Sequence, residues 1–354
     1  MIHRLLFLVV SLVFSTVSSE RIHIFVDINY NITVSKGYRI YFLSNGTESD
    51  LRACSVRAEK SQIDTNAFAY TVLQADGSVN PLLITADDDV LKIAKPEGNA
   101  AQINLYFNKI NTPNLNVFPI FETSSVQFKS GLNVFFAIDK PSNKILTVKN
   151  LNLVRENTNL SAYTGVPGDA NTYLFFDSSV YPKTKHYRQL DIPLYDFFFD
   201  QIDSGVTYEV SFSAESTNLE ESGLIMTESF PLSQYAGDIL RKVKSNGGGY
   251  TSLQIQTYFY GAISYNTDLI VYFENGLKQS ASFSSGSGGR FNAEGFITYL
   301  EINFGGAYAF QYYLNESSTI PTSTTATYLE TTTNSSNFTN LYLLLIVLFL
   351  VFTK

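Results

Sequence analysis

Short segments of alternating apolar and polar residues recur along most of the chain, and this pattern constrains the fold more than any other feature. In "VTYEVSFSAE", the large side chains of Tyr208, Val210 and Phe212 are each separated by one polar residue. Successive side chains of a β-strand point to opposite faces, so this spacing predicts a strand with one buried face. "QINLYFN", "DLIVYFENG" and "GFITYLEINFGG" repeat the pattern, with turn pairs such as Asn275-Gly276 between them. The sequence therefore predicts an all-β sandwich fold.

One segment has the apolar spacing of a helix instead. Leu232, Tyr235 and Ile239 recur at helical intervals in "PLSQYAGDILRKV", which begins with Pro231. Proline is favoured in the first turn of a helix, so residues 231–243 are the one predicted helix.

Residues 1–19 have the features of a secretory signal peptide. Arg4 supplies a positive charge, residues 5–14 are apolar, and Ser18 and Ser19 precede the expected cleavage before Glu20. The apolar run is too short for a membrane anchor, so we expect residues 1–19 to be removed.

The C-terminal residues 341–354 resemble a signal for a glycosylphosphatidylinositol (GPI) anchor. Residues 341–352 are apolar, but a helix of that length reaches only about 18 Å, less than the roughly 30 Å of a bilayer core. Small residues precede them, which makes Asn334 and Ser335 the candidate attachment sites. The alternative is one short transmembrane helix in a locally thinned bilayer.

Composition changes near residues 115 and 315 and suggests the domain organisation. Asn-rich sequence around Pro113 and Pro119 predicts a boundary between a domain at 20–115 and a second β-rich domain at 116–315. In the next segment, 316–340, fourteen of twenty-five residues are Ser or Thr, which predicts a disordered, O-glycosylated stalk.

Charge and modification motifs indicate an extracellular protein. The net charge of −8 and the pI of about 5.0 argue against nucleic-acid binding and against an electrostatic attraction to anionic lipid. N-glycosylation motifs mark expected surface positions at Asn31, Asn45, Asn159, Asn315, Asn334 and Asn337. Asn31 and Asn45 lie on either side of the predicted strand that contains Tyr38.

Cys54 is the single cysteine, so no intrachain disulfide can form. Nearby basic residues, Arg52, Arg57 and Lys60, could lower its thiol pKa. Burial as a small apolar residue is the favoured interpretation, and pairing with another molecule is the alternative.

The segment "NITVSKGYRIYFLSN" resembles the opening strand of the CUB-like domain of nematode secreted proteins. Lys36-Gly37-Tyr38 and the turn at Asp76-Gly77 follow the order of that family, and the strand pair in "DVLKIAKPEGNAAQINLYFNKI" resembles its closing hairpin. The family's usual cysteine and tryptophan near the first strand are missing. "GLIMTESFPLSQYAGDI" resembles the second half of these proteins. The resemblance implies two CUB-like or jelly-roll-type sandwiches, a role in intestinal stress or pathogen responses, and no assigned catalytic residues.

Motifs for catalysis and metal binding are weak. The chain has three histidines, His3, His23 and His186, none near a nucleophile-elbow motif, and the spacing needed for a zinc site is absent. The acidic run Asp87-Asp88-Asp89 could offer calcium ligands, but a solvated turn is the favoured interpretation.

Two further segments have ordinary structural explanations. The glycine-rich "SSGSGGRFN", with Gly286, Gly288 and Gly289, lacks the context of a phosphate loop and predicts a hairpin tip. Sugar-stacking tyrosines or cross-strand pairs are the two interpretations for Tyr41, Tyr258, Tyr260 and Tyr299.

The sequence favours a non-enzymatic, GPI-anchored glycoprotein on the extracellular face of the plasma membrane. Its expected role is adhesion or recognition of a protein or glycan, with no cofactor or metal, in host defence or stress response. The alternatives are a glycan-acting hydrolase, a lectin, and a structural component of the glycocalyx. A pair of carboxylates could serve a hydrolase, but sequence alone cannot place two of them together.

Overall fold

The structure is a computed structural model in which β-strands dominate, which confirms the all-β class. It describes residues 19–22, 29–109, 114–122, 126–127, 131–153, 158–169, 171–181, 186–201, 206–228, 230–231, 239–243, 249–258, 267–283, 289–303 and 307–317. The described strands form six sheets, numbered here in chain order. Among the described residues, no helix is long and apolar enough to cross a bilayer. The predicted start of the stalk at 316 is wrong, because Glu316 and Ser317 belong to a strand and pair with Thr251 and Tyr250. The remainder of the predicted stalk, from residue 318 onward, and the apolar segment 341–354 lie outside the described residues.

The N-terminal strands form two sheets around one apolar core. The elements are β1 (Ser19–Ile22), β2 (Asn29–Val34), β3 (Tyr38–Ser44), α1 (Glu48–Ala53), β4 (Ser55–Ala58), β5 (Ile63–Asn66), α2 (Phe68–Thr71), β6 (Leu82–Leu83), β7 (Asp89–Ala94) and β8 (Ile103–Lys109). Sheet 1 has the order β1-β8-β3-β6 and sheet 2 the order β2-β7-β4-β5, both antiparallel. Ile40 and Phe42 of β3 contribute to the core, as their alternation predicts.

The predicted hairpin between β7 and β8 is wrong. Strand β7 pairs with β2 and β4, whereas β8 pairs with β1 and β3 in the other sheet. Residues 95–102 therefore cross from one sheet to the other. Both strands bury alternate residues in the shared core, so their sequence pattern is the same as that of a hairpin.

The central strands form a second pair of sheets. They are β9 (Leu115–Ile120), β10 (Val126–Gln127), β11 (Leu132–Ala137), β12 (Ile145–Leu153), β13 (Leu160–Thr164), β14 (Leu174–Asp177), a 3-10 turn (Ser178–Val180), β15 (His186–Ile192), β16 (Asp196–Gln201) and β17 (Val206–Ser213). Sheet 3 has the order β14-β13-β16-β11-β9 and sheet 4 the order β10-β17-β12-β15. Strands β9 and β11 pair in parallel. Tyr208, Val210 and Phe212 of β17 are buried in the core, which confirms their predicted alternation.

The C-terminal strands form a third pair of sheets. They are β18 (Asn218–Leu219), β19 (Ser222–Met226), β20 (Ile239–Val243), β21 (Tyr250–Tyr258), β22 (Thr267–Phe273), β23 (Lys278–Phe283), β24 (Arg290–Gly295), β25 (Ile297–Asn303) and β26 (Ala309–Ser317). Sheet 5 has the order β18-β20-β25-β22-β23 and sheet 6 the order β19-β26-β21-β24. The Asn275-Gly276 turn joins β22 to β23, and Gly276 has a φ of +79°, which glycine adopts without strain.

Two predictions fail in this part of the chain. A helix is predicted at 231–243, but residues 239–243 form strand β20 instead. In this strand Ile239 pairs with Ile302 and Arg241 with Leu300, and residues 232–238 lie outside the described residues. The cross-strand pairing with β25 satisfies the backbone that a helix would have satisfied internally. The expected hairpin around the glycine-rich segment is also wrong, because the strands on either side of it, β23 and β24, lie in sheets 5 and 6 and do not pair; Gly286 and Gly288 themselves lie outside the described residues.

Apolar contacts join neighbouring pairs of sheets. The outer face of sheet 1 contributes Tyr41 and Tyr106, and sheet 3 contributes Val134 and Phe136, to one buried cluster. Burial on both faces explains why β3 has four consecutive apolar residues, "IYFL". Met226 and other residues of sheet 6 extend the core of sheets 3 and 4. Four of the six sheets lie between Leu115 and Ser317, a range that extends slightly beyond both bounds of the predicted second domain at 116–315.

Candidate functional site

The candidate site is the outer face of sheet 6, which is polar over three neighbouring strands. Every second residue of these strands faces away from the core: Ser252, Gln254 and Gln256 of β21; Arg290, Asn292 and Glu294 of β24; and Gln311, Tyr313 and Asn315 of β26. Cross-strand register arranges these side chains in rows. Gln254, for example, lies between Asn292 and Tyr313.

The intervening residues explain why these side chains point outward. Leu253, Ile255, Phe291 and Leu314 are buried in the core between sheets 5 and 6. Because the side-chain period of a strand is two, burying this apolar set places the polar set on the opposite face.

A turn from sheet 3 covers one end of this polar face. Strand β14 ends at Asp177, and the short 3-10 turn that follows is capped by the Asp177 side chain, which accepts a hydrogen bond from Ser179 N–H at 2.8 Å. Tyr181 follows the turn and is 8% exposed. Its hydroxyl donates to the backbone oxygen of Gln311 at 3.4 Å, and its ring lies 5.9 Å from that of Tyr313.

The Gln311 side chain joins the 3-10 turn to sheet 6 through hydrogen bonds. Its side chain is fully buried, and its amide oxygen accepts hydrogen bonds from Asp177 N–H at 3.1 Å and from the Tyr258 hydroxyl at 3.0 Å. Its amide nitrogen donates to the backbone oxygen of Asp177 at 2.9 Å and approaches the Tyr187 hydroxyl at 3.5 Å. One amide thus satisfies both backbone groups of Asp177, as a neighbouring strand would.

A cavity of about 130 Å³ lies between the turn and the sheet. It is lined by Val180, Tyr181, Gln254, Ile255, Arg290 and Asn292. An apolar cavity of about 150 Å³ holds one benzene molecule, so this space accepts a single small ring or a few waters. Its lining offers a phenol, two amides and a guanidinium, which favour a hydrated or hydroxyl-bearing occupant.

Arg290 supplies the formal charge at the cavity. Its Nε donates to the Gln256 side-chain oxygen at 3.3 Å, and among the described residues it has no carboxylate within ion-pair distance. Burial raises the pKa of the neighbouring Tyr181 hydroxyl, and the charge of Arg290 opposes that rise. The cavity is therefore a local positive site on a chain whose net charge is −8.

A second cluster of charged residues lies where sheet 4 meets sheet 5. The Asp191 carboxylate, 7% exposed, accepts hydrogen bonds from Gln189 Nε2 and from Ser216 N–H, each at 2.7 Å. Glu215 forms an ion pair with Arg241, whose side chain is 11% exposed. Burial raises the pKa of both carboxyl groups, while the charge of Arg241 opposes the shift. The charge of Asp191 adds to the rise in the Glu215 pKa, so the two carboxylates lie within electrostatic reach of each other.

Residues of sheet 6 pack closely beside the Asp191–Glu215–Arg241 cluster. The Tyr312 hydroxyl accepts a hydrogen bond from Glu220 N–H at 3.3 Å, and burial raises the pKa of that hydroxyl. A β-carbon at Gly223 would lie 2.5 Å from the Tyr312 hydroxyl, so glycine is required for this approach. Arg188 and Glu220 form a further ion pair at 3.1 Å. Hydrogen bonds and ion pairs thus occupy the polar groups of this cluster.

The glycosylation motifs lie in different environments. Asn31 in β2, Asn159 before β13 and Asn315 in β26 are exposed. Asn45 is half-buried, and its side-chain nitrogen donates to the Asp139 carboxylate across the junction of sheets 1 and 3. Asn334, Ser335 and Asn337 lie outside the described residues.

Cys54 is fully buried in the N-terminal core. Its thiol donates to the backbone oxygen of Asp50 at 3.2 Å. Burial raises the thiol pKa; the charge of Lys95 opposes the rise. The structure therefore places Cys54 as a small core residue.

The acidic run at 87–89 forms a turn whose oxygen atoms bind protein groups. The Asp89 carboxylate accepts hydrogen bonds from Ser61 N–H at 2.6 Å and from Lys60 N–H at 3.2 Å. Burial alone would raise the pKa of Asp89, but the hydrogen bonds from Ser61, Lys60 and Val90 hold it below its ordinary value. Among the described residues, no group of three potential ligands is arranged for a metal ion.

The tyrosines singled out in the sequence are mostly structural. Tyr41 is 1% exposed and stacks on Tyr106, and Tyr258 is buried beside Gln311, so neither is a sugar platform. Tyr299 stacks on Tyr272 across strands, with ring centroids 4.1 Å apart, as in a cross-strand pair. Tyr260 lies outside the described residues.

His186 is exposed at the start of β15, where its Nδ1 lies 2.6 Å from the Asn152 side-chain oxygen. His3 and His23 lie outside the described residues. No motif in the sequence marks Arg290, Gln254, Asn292 and Tyr181 as a set, although the polar half of the alternation in β21 and β24 contains three of them.

Comparisons with known proteins identify no family. No family model matches the chain, and no curated protein matches it. A chain of the lipid-containing bacteriophage PM2 is 10% identical, with 86% of this chain and 88% of that chain covered and a TM-score of 0.17. The tandem CBM22 domain of Xyn10C from Paenibacillus barcinonensis is 9% identical (81% and 100% covered, TM-score 0.17). The insecticidal delta-endotoxin Cry8Ea1 of Bacillus thuringiensis is also 9% identical (85% and 54% covered, TM-score 0.19). TM-scores this low do not establish a common fold.

Proposed function

We propose that this chain is an extracellular recognition protein that binds a saccharide in the cavity between Tyr181 and sheet 6. The observation that carries the proposal is the cavity's lining, in which Arg290, Asn292 and Gln254 converge beside a tyrosine ring. Binding sites of small ligands commonly lie between packed units and contain a few polar groups that fix orientation.

The chemistry of the lining suits hydroxyl-bearing rings. Amide side chains both donate and accept hydrogen bonds, as sugar hydroxyls do, and a guanidinium donates to hydroxyl or carboxylate oxygen. The volume of about 130 Å³ matches one ring rather than a long chain. We expect a single terminal sugar to enter the cavity while the rest of the glycan lies along the polar face.

The proposed architecture places this site outside the cell. Three successive sandwiches, each built from two of the six sheets, would replace the two predicted domains. They would be followed by the Ser/Thr-rich stalk from residue 318 to 340 and a GPI anchor on Asn334 or Ser335. The observations that support this arrangement are the separate pairs of sheets and the sequence signals at both chain ends. Adhesion or pathogen recognition at an epithelial surface is the role that follows.

A glycan-acting hydrolase is the alternative, and Asp191 with Glu215 is the observation that favours it. Both carboxyl groups have raised pKa values, as a catalytic acid would. Their hydrogen bonds to Gln189 and Ser216 and the ion pair with Arg241 favour a structural role instead.

Glycan-array binding of the purified chain tests the proposal. Saturable binding to a defined subset of glycans is expected, and it should be lost in Arg290→Gln and reduced in Gln254→Ala. Arg57→Gln, which changes an exposed arginine on sheet 2, is the matched control and should bind normally. Absence of saturable binding would favour a structural glycocalyx role, and hydrolysis abolished by Glu215→Gln would favour the enzyme.

The anchor is tested separately on cells. Phosphatidylinositol-specific phospholipase C should release the protein into the medium if a GPI lipid holds it. Retention on the cells after treatment would instead support the short transmembrane helix.

A further inference from the structure

We propose that an oligosaccharide attached to Asn315 lies on the polar face of sheet 6 and restricts access to the Arg290 cavity. This inference rests on the proposed extracellular location, because N-glycosylation takes place in the secretory pathway. It goes further by giving one modification site a defined effect on the binding cavity.

Asn315 is placed on the same face as the cavity. It is exposed and belongs to β26, which lies between β19 and β21 within sheet 6. Asn315 pairs with Ser252, and two residues earlier Tyr313 pairs with Gln254, which lines the cavity. The glycosylation motif is therefore one row away from the cavity rather than at a loop tip.

The strand geometry gives the distance that a glycan has to reach. Two residues along a strand span about 6.6 Å and neighbouring strands lie about 4.8 Å apart, so Gln254 is roughly 8 Å from Asn315. Arg290 lies two rows and two strands away from Asn315, at roughly 16 Å. A branched N-glycan of several rings is longer than these distances and can therefore reach the cavity from Asn315.

The chemistry of the attachment is the ordinary one for this motif. The Asn315 side-chain nitrogen attacks the first sugar carbon of a lipid-linked oligosaccharide diphosphate. A carbon–nitrogen bond forms, the lipid diphosphate leaves with the electron pair of the broken carbon–oxygen bond, and the nitrogen loses one proton. Asn315-Glu316-Ser317 supplies the required motif.

The other described motifs serve as internal controls. Asn31 belongs to sheet 2, Asn159 precedes a strand of sheet 3, and Asn45 lies at the junction of sheets 1 and 3. None of these three lies on sheet 6. A glycan on Asn31 should therefore leave Arg290 unaffected.

Secretory expression of the full chain in cultured animal cells provides the test. Ser317→Ala removes the motif and keeps Asn315, whereas Thr33→Ala removes the Asn31 motif as the matched control. Peptide mass spectrometry measures glycan occupancy at each asparagine. It also measures how fast phenylglyoxal, an arginine-selective reagent, modifies Arg290 in the folded protein.

We expect Asn315 to be occupied and Arg290 to react several-fold more slowly in the wild type and in Thr33→Ala than in Ser317→Ala. If Ser317→Ala does not fold, trimming the wild-type glycans with an endoglycosidase gives the same comparison. An unoccupied Asn315 alongside an occupied Asn31 overturns this inference and leaves the proposed function standing. Equal Arg290 rates despite occupancy also overturn it. If none of Asn31, Asn159 and Asn315 carries a glycan, the result contradicts the proposed extracellular location as well.

Discussion

Replacing Gln311 should destabilise the junction between sheets 3 and 6 more than most single changes in this protein. The buried side-chain amide holds both backbone groups of Asp177 and the hydroxyl of Tyr258. In Gln311→Ala each of these three groups loses a hydrogen bond at once. A buried polar group left unsatisfied costs about 1–3 kcal/mol.

The lower end of that range applies here, because Asp177 is half-buried and water can reach its backbone. Three groups at about 1 kcal/mol each give a loss of about 3 kcal/mol in the free energy of unfolding. For a large domain 1 kcal/mol shifts the melting temperature by about 2–4 °C, so a decrease of roughly 6 °C or more is expected in calorimetry.

Gln311→Glu gives the reasoning a second, pH-dependent test. Burial should raise the pKa of the new carboxyl above its unfolded value of about 4.3. The protonated form can still accept from Asp177 N–H and donate to Asp177 C=O, so the variant should approach wild-type stability below pH 4. Stability relative to the wild type should then fall as the pH rises through the raised pKa.

Gln256→Ala is the matched control, since Gln256 pairs with Gln311 across the strands but is only half-buried. Its melting temperature should stay close to that of the wild type. The reasoning is refuted if Gln311→Ala melts like Gln256→Ala, or if the deficit of Gln311→Glu is the same at pH 4 and pH 7.

Two further substitutions and one labelling experiment test other buried groups. Asp89→Ala should lower the free energy of unfolding by about 2 kcal/mol at pH 7. The pKa of the Asp89 carboxyl is lowered in the folded wild type, so the wild type should lose this advantage over the variant in acid titrations as the pH falls through that pKa. Arg241→Gln should cost about 1–2 kcal/mol at neutral pH, because it removes the positive charge beside Asp191 and Glu215, while the Glu215 side chain is 46% exposed and Asp191 keeps its two hydrogen bonds. This deficit should shrink toward pH 4 in urea unfolding, and a pH-independent deficit would contradict the explanation. Cys54 should resist iodoacetamide until the protein unfolds, and rapid labelling of the native protein or a disulfide-linked dimer would contradict its burial.

The strands with one buried face were predictable because a single physical requirement determines them. Burial of Tyr208, Val210 and Phe212, and of Ile40 and Phe42, leaves a period of two that the sequence displays directly. The Asn275-Gly276 hairpin was predictable for a similar reason, since glycine is needed at its positive φ.

Strand partners were not predictable from the same pattern. β7 and β8 alternate as a hairpin does, yet they belong to opposite sheets, because an alternating strand can bury its apolar face from either side of a sandwich. β20 was misassigned because Ile239 and Val243 suit a helical period over a short segment, and cross-strand pairing with β25 decided the outcome.

The candidate site escaped the sequence because its members come from separate segments. Arg290 and Gln254 belong to adjacent strands, while Tyr181 comes from a turn more than seventy positions earlier in the chain. No local motif marks such a set. The burial of Gln311 was not predictable either. Gln311 and the exposed Asn315 are both polar residues on the same face of β26, so the alternating pattern does not distinguish them.

Binding at the cavity and stability at the junction depend on the same turn. Gln311 fixes Asp177, Asp177 caps the 3-10 turn, and that turn positions Tyr181 as one wall of the cavity. Removing the hydrogen bonds of the Gln311 side chain should therefore displace Tyr181, which follows a strand of sheet 3, relative to Arg290 on sheet 6. A ligand that contacts both walls would in turn stabilise the junction, by mass action, in proportion to its concentration above the dissociation constant. A saccharide that binds here should thus raise the melting temperature of the wild type more than that of Gln311→Ala.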